Sequence, residues 1–349
     1  MTKSTSDRTS RELTIITVLG ITVMLLLMLV SITGCVSFAG IPNLDSKNIS
    51  NSNQSDEAIK VYDKAIEINP QDSKAWYDKG LTLGQLGKLD EAIKAFDSAI
   101  KINPQDSKAW DGKGVALGKL GKLDEAIKVF DKAIETNPQD SAAWYNKGHS
   151  LYKLNKFDEA LTAFDKSIEL NPPYSYAWDG KGYALDDSGK HDEAIKAYDN
   201  AIEIDPQNSI AWNGKGKALA NLNKYNEAIT AYDKAIEIDP HDSKALNNKG
   251  ISLSQLGKSD EAIKVFDKAI EIDPQYSVSW YNKGVNLQIL NRHEEAIKAY
   301  NKAIEISPHN SKALNNKGIS LDHLGKSNEA RIAYDKAVEI DPQLRNLAQ

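Results

Sequence analysis

The sequence predicts an all-α protein in which one helix-turn-helix unit is repeated and stacked, preceded by a single hydrophobic segment. The repeat is visible in the prolines, which recur every 34 residues at positions 70, 104, 138, 172, 206, 240, 274, 308 and 342. A fixed period of this length is typical of solenoids, whose units bury their apolar faces only against one another. The hydrophobic segment is the uncharged run of 20 residues at 13–32.

The hydrophobic run is long enough to cross a membrane, since its 20 residues would extend about 30 Å as a helix that rises about 1.5 Å per residue. Lys3, Arg8 and Arg11 precede the run, and Lys47 is the one basic residue in the twenty that follow it. The positive-inside rule therefore predicts that residues 1–12 are cytoplasmic and that the repeats lie outside the cytoplasm.

Two forms of anchoring are open for residues 13–33. Cleaved secretory signals have apolar regions of about 7 to 15 residues, so the longer run here favours an uncleaved transmembrane helix. The one cysteine, Cys35, follows Ile32-Thr33-Gly34 in a pattern that resembles a bacterial lipobox. Cys35 is therefore a candidate lipidation site and 13–33 a candidate lipoprotein signal. Simple secretion is a third alternative.

Residues 36–55 are predicted to be a flexible linker. The segment 46–55 contains four serines and three asparagines and has no apolar periodicity, a composition that is typical of linkers. Asn48 and Asn53 begin N-x-S sequons and are candidate glycosylation sites, although such sequons are common by chance in Asn- and Ser-rich sequence.

Residues 56–349 are predicted to form the solenoid. A half unit is followed by eight full units of 34 residues, numbered here so that the recurring proline is position 32: 73–106, 107–140, 141–174, 175–208, 209–242, 243–276, 277–310 and 311–344. Serine at position 1 of every unit predicts the N-cap of a first helix, helix A. Glycine or asparagine at position 15 predicts the end of that helix.

The second helix of each unit, helix B, is predicted from its acidic start and its proline end. Acidic residues such as Asp90 and Glu91 suit the positive end of a helix dipole. Apolar or small residues follow at positions 20, 21, 24, 27 and 28, and the proline at position 32 prevents continuation of the helix.

These units resemble the tetratricopeptide repeat (TPR) family. Trp is at position 4 in six units, Gly at position 8 and Ala at position 20 in all eight, and Phe or Tyr at position 24 in all eight. The resemblance implies a right-handed α-α superhelix whose concave wall is built by the A helices. It further implies that positions 2, 5, 9 and 12 face a groove that binds a protein or peptide.

Position 7 departs from the family, which prefers Leu there, because it is Lys in all eight units. The aliphatic stem is expected to cover the neighbouring helix while the ammonium reaches water or a carboxylate. Asp at position 25, present in seven units, is a candidate counter-charge. A functional ladder of positive charge is the alternative.

The groove positions diverge between units, and units three and four are the most aromatic. Tyr side chains with a polar tip are common contact residues in interfaces. The predicted partner-binding groove is Tyr145, His149, Tyr152, Tyr176, Asp179, Tyr183 and Asp186. A weaker candidate is Tyr281, Val285 and Gln288 in unit seven. The carboxylate clamp of chaperone-binding members is not expected, because position 5 is never Lys and position 9 is never Asn.

Several other function classes are not expected. A net charge of −6 from 43 basic and 49 acidic residues argues against nucleic-acid binding. A single cysteine and widely separated histidines argue against a metal site. Phosphate-loop and metalloprotease motifs are missing from the sequence, so neither enzymatic activity nor a cofactor is expected.

The sequence therefore predicts a membrane-tethered, extracytoplasmic scaffold that binds a protein or peptide. The alternative is a structural protein that associates with further copies of itself through its exposed ends. Arg331 replaces an apolar residue at position 21 of the last unit and is expected to make that end a modest cap.

Overall fold

The computed structural model describes residues 48–347, and all regular elements in that range are helical. The A helices of the eight full units are α2 (Ser73–Gln85), α4 (Ser107–Lys119), α6 (Ser141–Lys153), α8 (Ser175–Asp187), α10 (Ser209–Asn221), α12 (Ser243–Gln255), α14 (Ser277–Ile289) and α16 (Ser311–His323). The B helices are α1 (Asn48–Ile68), α3 (Leu89–Ile102), α5 (Leu123–Thr136), α7 (Phe157–Leu170), α9 (His191–Ile204), α11 (Tyr225–Ile238), α13 (Ser259–Ile272), α15 (His293–Ile306) and α17 (Ser327–Ile340). A 3-10 helix, Pro342–Leu347, follows α17 and packs against it.

The first helix starts earlier than the sequence predicts. Helix α1 begins at Asn48, inside the predicted linker 36–55, so both candidate glycosylation asparagines lie in helical backbone. The apolar run 13–32 and Cys35 lie outside the described residues. Within residues 48–347 no helix combines the length and the apolar character that crossing a membrane requires. The anchor therefore stays a prediction.

The A helices are capped one residue before the predicted serine. The side chain of Asp72, for example, accepts a hydrogen bond from the amide of Ala75, 3.0 Å away. Asp106, Asp140, Asn208, Asp242 and Asn310 cap their helices in the same way. The prediction was wrong by one position because Asp or Asn at position 34 supplies the oxygen that the first amides require. Tyr174 and Tyr276 occupy this position in the other two units and make no such cap.

The helix ends at position 15 are confirmed. All eight residues there have positive φ: Gly87, Gly121, Asn155, Gly189, Asn223, Gly257, Asn291 and Gly325. Glycine and asparagine tolerate this left-handed conformation best. The chain therefore turns sharply between helix A and helix B in every full unit.

Within each unit, a glycine lets the two helices approach around an aromatic ring. A Cβ built on Gly114 would lie 2.5 Å from Cε1 of Phe130, and the other position-8 glycines meet the position-24 ring of their own unit similarly. The ring itself is fully buried, as Phe130 shows at 0% exposure. The same combination of glycine and aromatic ring recurs in all eight units, so it sets how closely helix A packs against helix B.

Tryptophan at position 4 links six of the eight units to the preceding unit. The indole N–H donates to the carbonyl oxygen of the preceding unit's position-32 proline, as in Trp178 to Pro172 at 3.1 Å. All six tryptophans make this bond, from Trp76, Trp110, Trp144, Trp178, Trp212 and Trp280. The indole therefore contributes a hydrogen bond as well as apolar area.

The position-7 lysines form a regular series of ion pairs between units. Each pairs with the aspartate at position 25 of the preceding unit, as Lys215 does with Asp199 at 2.6 Å. Seven such pairs link Lys79, Lys113, Lys147, Lys181, Lys215, Lys249 and Lys283 to their aspartates. Five of these ammonium groups also lie 5.4 to 5.6 Å from the centroid of the position-4 indole. The counter-charge expected for Asp at position 25 is therefore confirmed.

Successive A helices lie closer together than successive B helices. Every A helix contacts the A helix of the next unit directly, in addition to the B helix between them. Stacked B helices make no comparable set of contacts within the described range. The A helices consequently line the narrower side of the stack, and this is the side on which the predicted groove residues lie.

Candidate functional site

The predicted groove residues of units three and four come together on α6 and α8. Tyr145 at position 5 of α6 packs edge-on against Tyr174, with ring centroids 5.3 Å apart. Tyr174 in turn packs edge-on against Tyr176, 5.8 Å away, at the start of α8. Tyr174 was not predicted, because it lies at position 34 of its unit, outside the expected groove positions 2, 5, 9 and 12.

A second aromatic group lies further along the same two helices. The rings of Tyr152 and Tyr183 are 6.2 Å apart across the α6–α8 contact. Behind them, Tyr183 packs edge-on against the fully buried Tyr198 of α9 at 5.7 Å. The groove tyrosines are thus held by rings in the core, which reduces the freedom they would lose on binding a partner.

The seven predicted residues differ in accessibility. Tyr145 and Asp179 are each 4% exposed and Asp186 is 2% exposed, so these three are packing residues in the structure and do not present an open contact surface. These three residues are buried because the neighbouring A helix covers them. The sequence pattern within one unit does not reveal this contact between units. His149, Tyr152, Tyr176 and Tyr183 remain partly exposed.

Asp186 belongs to a polar network between units four and five. Lys217 on α10 lies 3.2 Å from Asp186 and 2.7 Å from Asp187. Asp187 also accepts the hydroxyl of Tyr152 at 2.6 Å. The other oxygen of Asp186 contacts Asn221 Nδ2 at 3.0 Å and His191 Nδ1 at 2.7 Å. This network fixes the orientation of Tyr152.

The sequence prediction missed Asp187 and Lys217. Lys217 is at position 9 of unit five, the next groove position along from Tyr183 in unit four. Lys217 would therefore have been included if the predicted groove had been extended to the groove positions of unit five. Hydrogen bonds from Lys217 and Tyr152 lower the pKa of Asp187, although burial opposes them, so this carboxylate stays ionised.

Asp179 has a different environment. Its Oδ2 accepts a hydrogen bond from Asn208 Nδ2 at 2.7 Å, and its buried Oδ1 has no hydrogen-bond partner among the described residues. Burial raises the pKa of Asp179 to about 7, against the opposing hydrogen bond from Asn208, and nearby Asp205 raises it further. A buried carboxylate oxygen without a donor is unfavourable.

Asp111 occupies the equivalent place two units earlier. It is at position 5 of α4, and its Oδ1 accepts a hydrogen bond from Asn146 Nδ2 at 3.0 Å. Burial raises the pKa of Asp111 to about 7, with a smaller contribution from Asp140. Position 5 therefore alternates along the first four units as Tyr77, Asp111, Tyr145 and Asp179.

Four tyrosines of the A helices and His149 are neutral near neutral pH. Burial raises the pKa of Tyr77 to about 12 and raises those of Tyr145, Tyr152 and Tyr183 as well. Burial, with a contribution from Lys153, lowers the pKa of His149 to about 4. The aromatic surface thus presents phenol hydroxyls and a neutral imidazole.

The weaker candidate in unit seven is largely occupied by contacts within the chain. Tyr300 donates its hydroxyl to Gln288 Oε1 at 2.7 Å. Tyr281 lies with its ring 6.1 Å from that of Tyr300, and its hydroxyl is 3.4 Å from Asn316 Nδ2. Val285 packs against the core cluster of units seven and eight. Of the two candidate surfaces, units three and four therefore present more partly exposed aromatic area.

The part of the chain that the structure describes contains no group of three or more His, Cys, Asp or Glu side chains arranged to hold a metal ion. The rings of His293 and His323 are stacked, with centroids 4.4 Å apart. Two imidazoles lying face to face do not direct their ring nitrogens at a common point.

No curated protein sequence matches the chain. Among solved structures, a chain of the APC/C hetero-tetramer Cut9–Hcn1 is 20% identical, and the match covers 81% of this chain and 56% of that one, with a TM-score of 0.57. A tetratricopeptide repeat protein from Parabacteroides merdae is 16% identical over 71% of this chain and 98% of its own, with a TM-score of 0.58. These two matches show the fold.

A third solved structure, YrrB, described as a TPR protein with an unusual peptide-binding site, is 29% identical. It covers 54% of this chain and 97% of its own, with a TM-score of 0.44.

Protein-family models match the chain from residue 51 to residue 332 with few gaps. Models described as tetratricopeptide repeat match residues 180–243, 213–277, 73–106, 141–174, 277–310 and 299–332. A model described as TPR repeat matches residues 51–87 and 114–155. Three of these matches, 73–106, 141–174 and 277–310, coincide with units defined by the proline period. The chain belongs to the tetratricopeptide repeat family.

Proposed function

We propose that this TPR protein is a scaffold that holds a protein or peptide partner against the A helices of units three and four, and that its N-terminal segment tethers it to a membrane with the repeats outside the cytoplasm. TPR repeats generally mediate protein–protein interactions. The observation that carries the choice of surface is the partly exposed tyrosine group, Tyr152, Tyr176 and Tyr183, supported from behind by buried rings.

The arrangement suits binding because its contact residues are ordered before a partner arrives. Tyr152 is fixed by Asp187 and Lys217, and Tyr183 is fixed by Tyr198. Tyrosine supplies a large contact area and a polar tip, and interface energies concentrate in a few such residues. A preordered surface loses less conformational entropy on association.

The tether is supported by sequence alone. Residues 13–32 are uncharged, and the basic residues lie before them. Intact-mass analysis of the mature protein distinguishes the two forms of anchor: a lipoprotein begins at Cys35 and carries added lipid mass, whereas an uncleaved anchor retains residues 1–12. Recovery of an unmodified, cleaved chain from the soluble fraction would contradict a tether.

Affinity capture tests the groove. The full chain, solubilised in a mild detergent, is used as bait in extracts of its native membranes, and retained proteins are identified by mass spectrometry. Tyr152→Ala and Tyr176→Ala are expected to reduce capture of the specific partner at least tenfold, corresponding to about 1.4 kcal/mol or more. Tyr145 is unsuitable for this test, since it is buried and its truncation would disturb packing.

The matched control is Tyr225→Ala. Tyr225 begins α11, a B helix, and its hydroxyl contacts Asn223 in the adjacent turn. Capture should be unchanged by this substitution. The proposed surface would be contradicted if all three variants reduced capture of the partner equally, or if both groove variants captured it as well as the wild type does.

Self-association is the competing outcome. Light scattering of the same purified chain would then show oligomers whose mass rises with concentration, and Tyr152→Ala and Tyr176→Ala would leave them unchanged. A monomer that captures a partner through the groove favours the scaffold.

A further inference from the structure

We infer that the A helices of units six, seven and eight form a second contact surface, which binds a partner segment that carries aliphatic side chains next to acidic ones. The inference extends the proposed scaffold function but depends on none of the tyrosines of units three and four. It rests on an exposed aliphatic stripe along α14 and on two lysines that have no ion-pair partner among residues 48–347.

Helix α14 presents a stripe of aliphatic side chains on its groove face. Val278, Val285 and Ile289 lie within about 40° of one another around the helix, since each residue of an α-helix advances by about 100°. Val278 is 41% exposed and Ile289 is 58% exposed, while Val285 between them is partly buried. The two ends of the stripe therefore carry apolar area that packing within the described chain does not cover.

The neighbouring A helices continue this stripe. Ile251 on α12 and Ile319 on α16 hold the same repeat position, 9, as Val285 on α14, and α14 contacts both of these helices directly. Ile251 is 37% exposed and Ile319 is partly buried. The aliphatic surface is defined here as Ile251, Val278, Val285, Ile289 and Ile319.

The repeat shows that Ile289 is an exception to the pattern of the chain. Position 13 is polar in the seven other full units: Gln85, Lys119, Lys153, Asp187, Asn221, Gln255 and His323. Contacts that hold a solenoid together recur in every unit, so the fold does not require an apolar residue at this position. An exposed isoleucine beside other exposed aliphatic residues is typical of a contact with another molecule.

Two lysines at the starts of the flanking helices give the aliphatic surface a positive end. Lys244 on α12 and Lys312 on α16 are exposed and hold position 2, the position of Val278 on the helix between them. In unit one the lysine at this position, Lys74, pairs with Asp78 at position 6, 2.6 Å away.

The same internal pairing does not occur in units six and eight, because position 6 is asparagine. The side-chain amides of Asn248 and Asn316 bond instead to the preceding A helix, at 3.2 Å and 3.4 Å. Asp242, which caps α12, accepts the backbone amide of Lys244. Among the described residues, no carboxylate lies within ion-pair distance of the ammonium of Lys244 or Lys312. Both charges are therefore available to a partner.

An acidic segment with aliphatic side chains complements both features. Its carboxylates would pair with Lys244 and Lys312, and its aliphatic side chains would cover the exposed parts of Val278 and Ile289. The exposed Asp322, at position 12 of α16, disfavours an acidic group at the opposite end of the surface. The surface lies on the narrower side of the stack, which suits a peptide segment better than a flat lipid bilayer.

A bead library of random peptides provides the test. The full chain is reconstituted in phosphatidylcholine nanodiscs, labelled with a fluorophore and incubated with the library, and retained peptides are sequenced. Asp or Glu is expected to be enriched together with Leu, Ile or Val. The double variant Lys244→Gln with Lys312→Gln should reduce the enrichment of acidic residues about fivefold. Ile289→Gln should weaken retention of these peptides about tenfold, because it removes an apolar contact.

Two controls match these variants. Ile332→Gln replaces an isoleucine of similar exposure, 55%, on the B helix α17. Lys108→Gln replaces the exposed position-2 lysine of unit two. Neither control should alter which peptides are retained. Every variant changes an exposed side chain, and unchanged helicity is first verified by far-ultraviolet circular dichroism.

The outcomes separate this inference from the proposed function. Peptides retained without joint acidic and aliphatic enrichment, or with an enrichment that Ile289→Gln and the double lysine variant leave intact, would overturn the second surface. Failure of the wild-type chain to retain any peptide would do the same, while capture of the native partner still tests units three and four.

Two further results would assign the binding elsewhere. Tyr152→Ala should leave the acidic, aliphatic peptides bound, and their loss in this variant but not in Ile289→Gln would place them on units three and four. Binding to phosphatidylglycerol vesicles that Ile289→Gln abolishes would assign the surface to lipid. Either result would overturn the inference.

Discussion

Glycine at position 8 occupies a place in which any side chain would collide with the aromatic ring at position 24. A Cβ at Gly114 would lie 2.5 Å from Phe130, and the ring is enclosed on all sides. We predict that Gly114→Ala destabilises the protein by about 1 to 3 kcal/mol, the usual effect of overpacking a core. Urea denaturation followed by circular dichroism measures the change.

Gly84→Ala is the matched control. Its Cβ would meet only Ala92, at an ordinary contact distance of 4.0 Å, and the residue lies inside α2. The substitution should be neutral or stabilise by up to about 1 kcal/mol, because alanine loses less backbone entropy in a helix. Destabilisation by Gly84→Ala equal to that of Gly114→Ala would contradict the steric account.

Asp179 should make the stability of the protein depend on pH. Its pKa is raised from 3.8 to about 7 in the folded state, chiefly by burial, so the folded state binds more protons than the unfolded state between these values. The contribution of Asp179 to the stability of the protein is therefore greatest below about pH 4, and it is lost as the pH rises through about 7. The loss is at most about 4 kcal/mol, since one pKa unit corresponds to about 1.4 kcal/mol.

The contribution of Asp179 is isolated by comparing the wild type with Asp179→Asn from pH 4 to pH 8. As the pH rises, the free energy of unfolding of the wild type should fall relative to that of Asp179→Asn. A difference that is constant over this range would show that the carboxylate titrates normally.

At the scale of the helices, the ion-pair series between units is interrupted once. Position 25 of unit seven is Asn301, and no carboxylate pairs with Lys317 in the described part of the chain. Burial lowers the pKa of Lys317, and Lys336 lowers it further. We predict that Asn301→Asp stabilises the last unit by about 0.2 to 1 kcal/mol, the range of exposed ion pairs.

Amide hydrogen exchange in α16 and α17 measures this local gain. The double variant Asn301→Asp with Lys317→Gln is the control, because the new carboxylate then lacks its partner. An equal gain in the single and double variants would assign the effect to the aspartate alone rather than to the pair.

Much of this element-scale structure could be predicted from the sequence, because it depends on contacts that repeat in every unit. The turns at Gly87 or Asn155, the acidic starts of the B helices and the counter-charges of the lysines all recur with the 34-residue period. The N-cap was displaced by one residue, from Ser73 to Asp72, because both residue types are good caps and their order alone does not decide between them.

The site was harder to predict than the helices. Helical spacing places Tyr145, Asp179 and Asp186 on the groove face of their own helices, but their burial depends on how closely the next A helix approaches. The partnership of Asp187 with Lys217 likewise joins two different units. Contacts between non-identical side chains of neighbouring units carry no period, so a sequence pattern does not reveal them.

At the scale of the whole repeat body, the described residues from 51 to 347 form one compact unit in which each helix packs on its sequence neighbours. Such a body has no closed core, and its stability is close to a sum of unit and interface contributions. Binding specificity therefore has to come from groove side chains that differ between units. Units three and four carry the largest number of tyrosines at these positions.

Site-specific photo-crosslinking tests this central claim most directly. A benzophenone amino acid is placed at Tyr152, at Tyr176 or, as a control on a B helix, at Tyr225, and the full chain is irradiated in its native membrane. We expect covalent adducts with the same partner from Tyr152 and Tyr176 and none from Tyr225. Adducts with that partner from Tyr225 but not from the two groove positions would contradict the account.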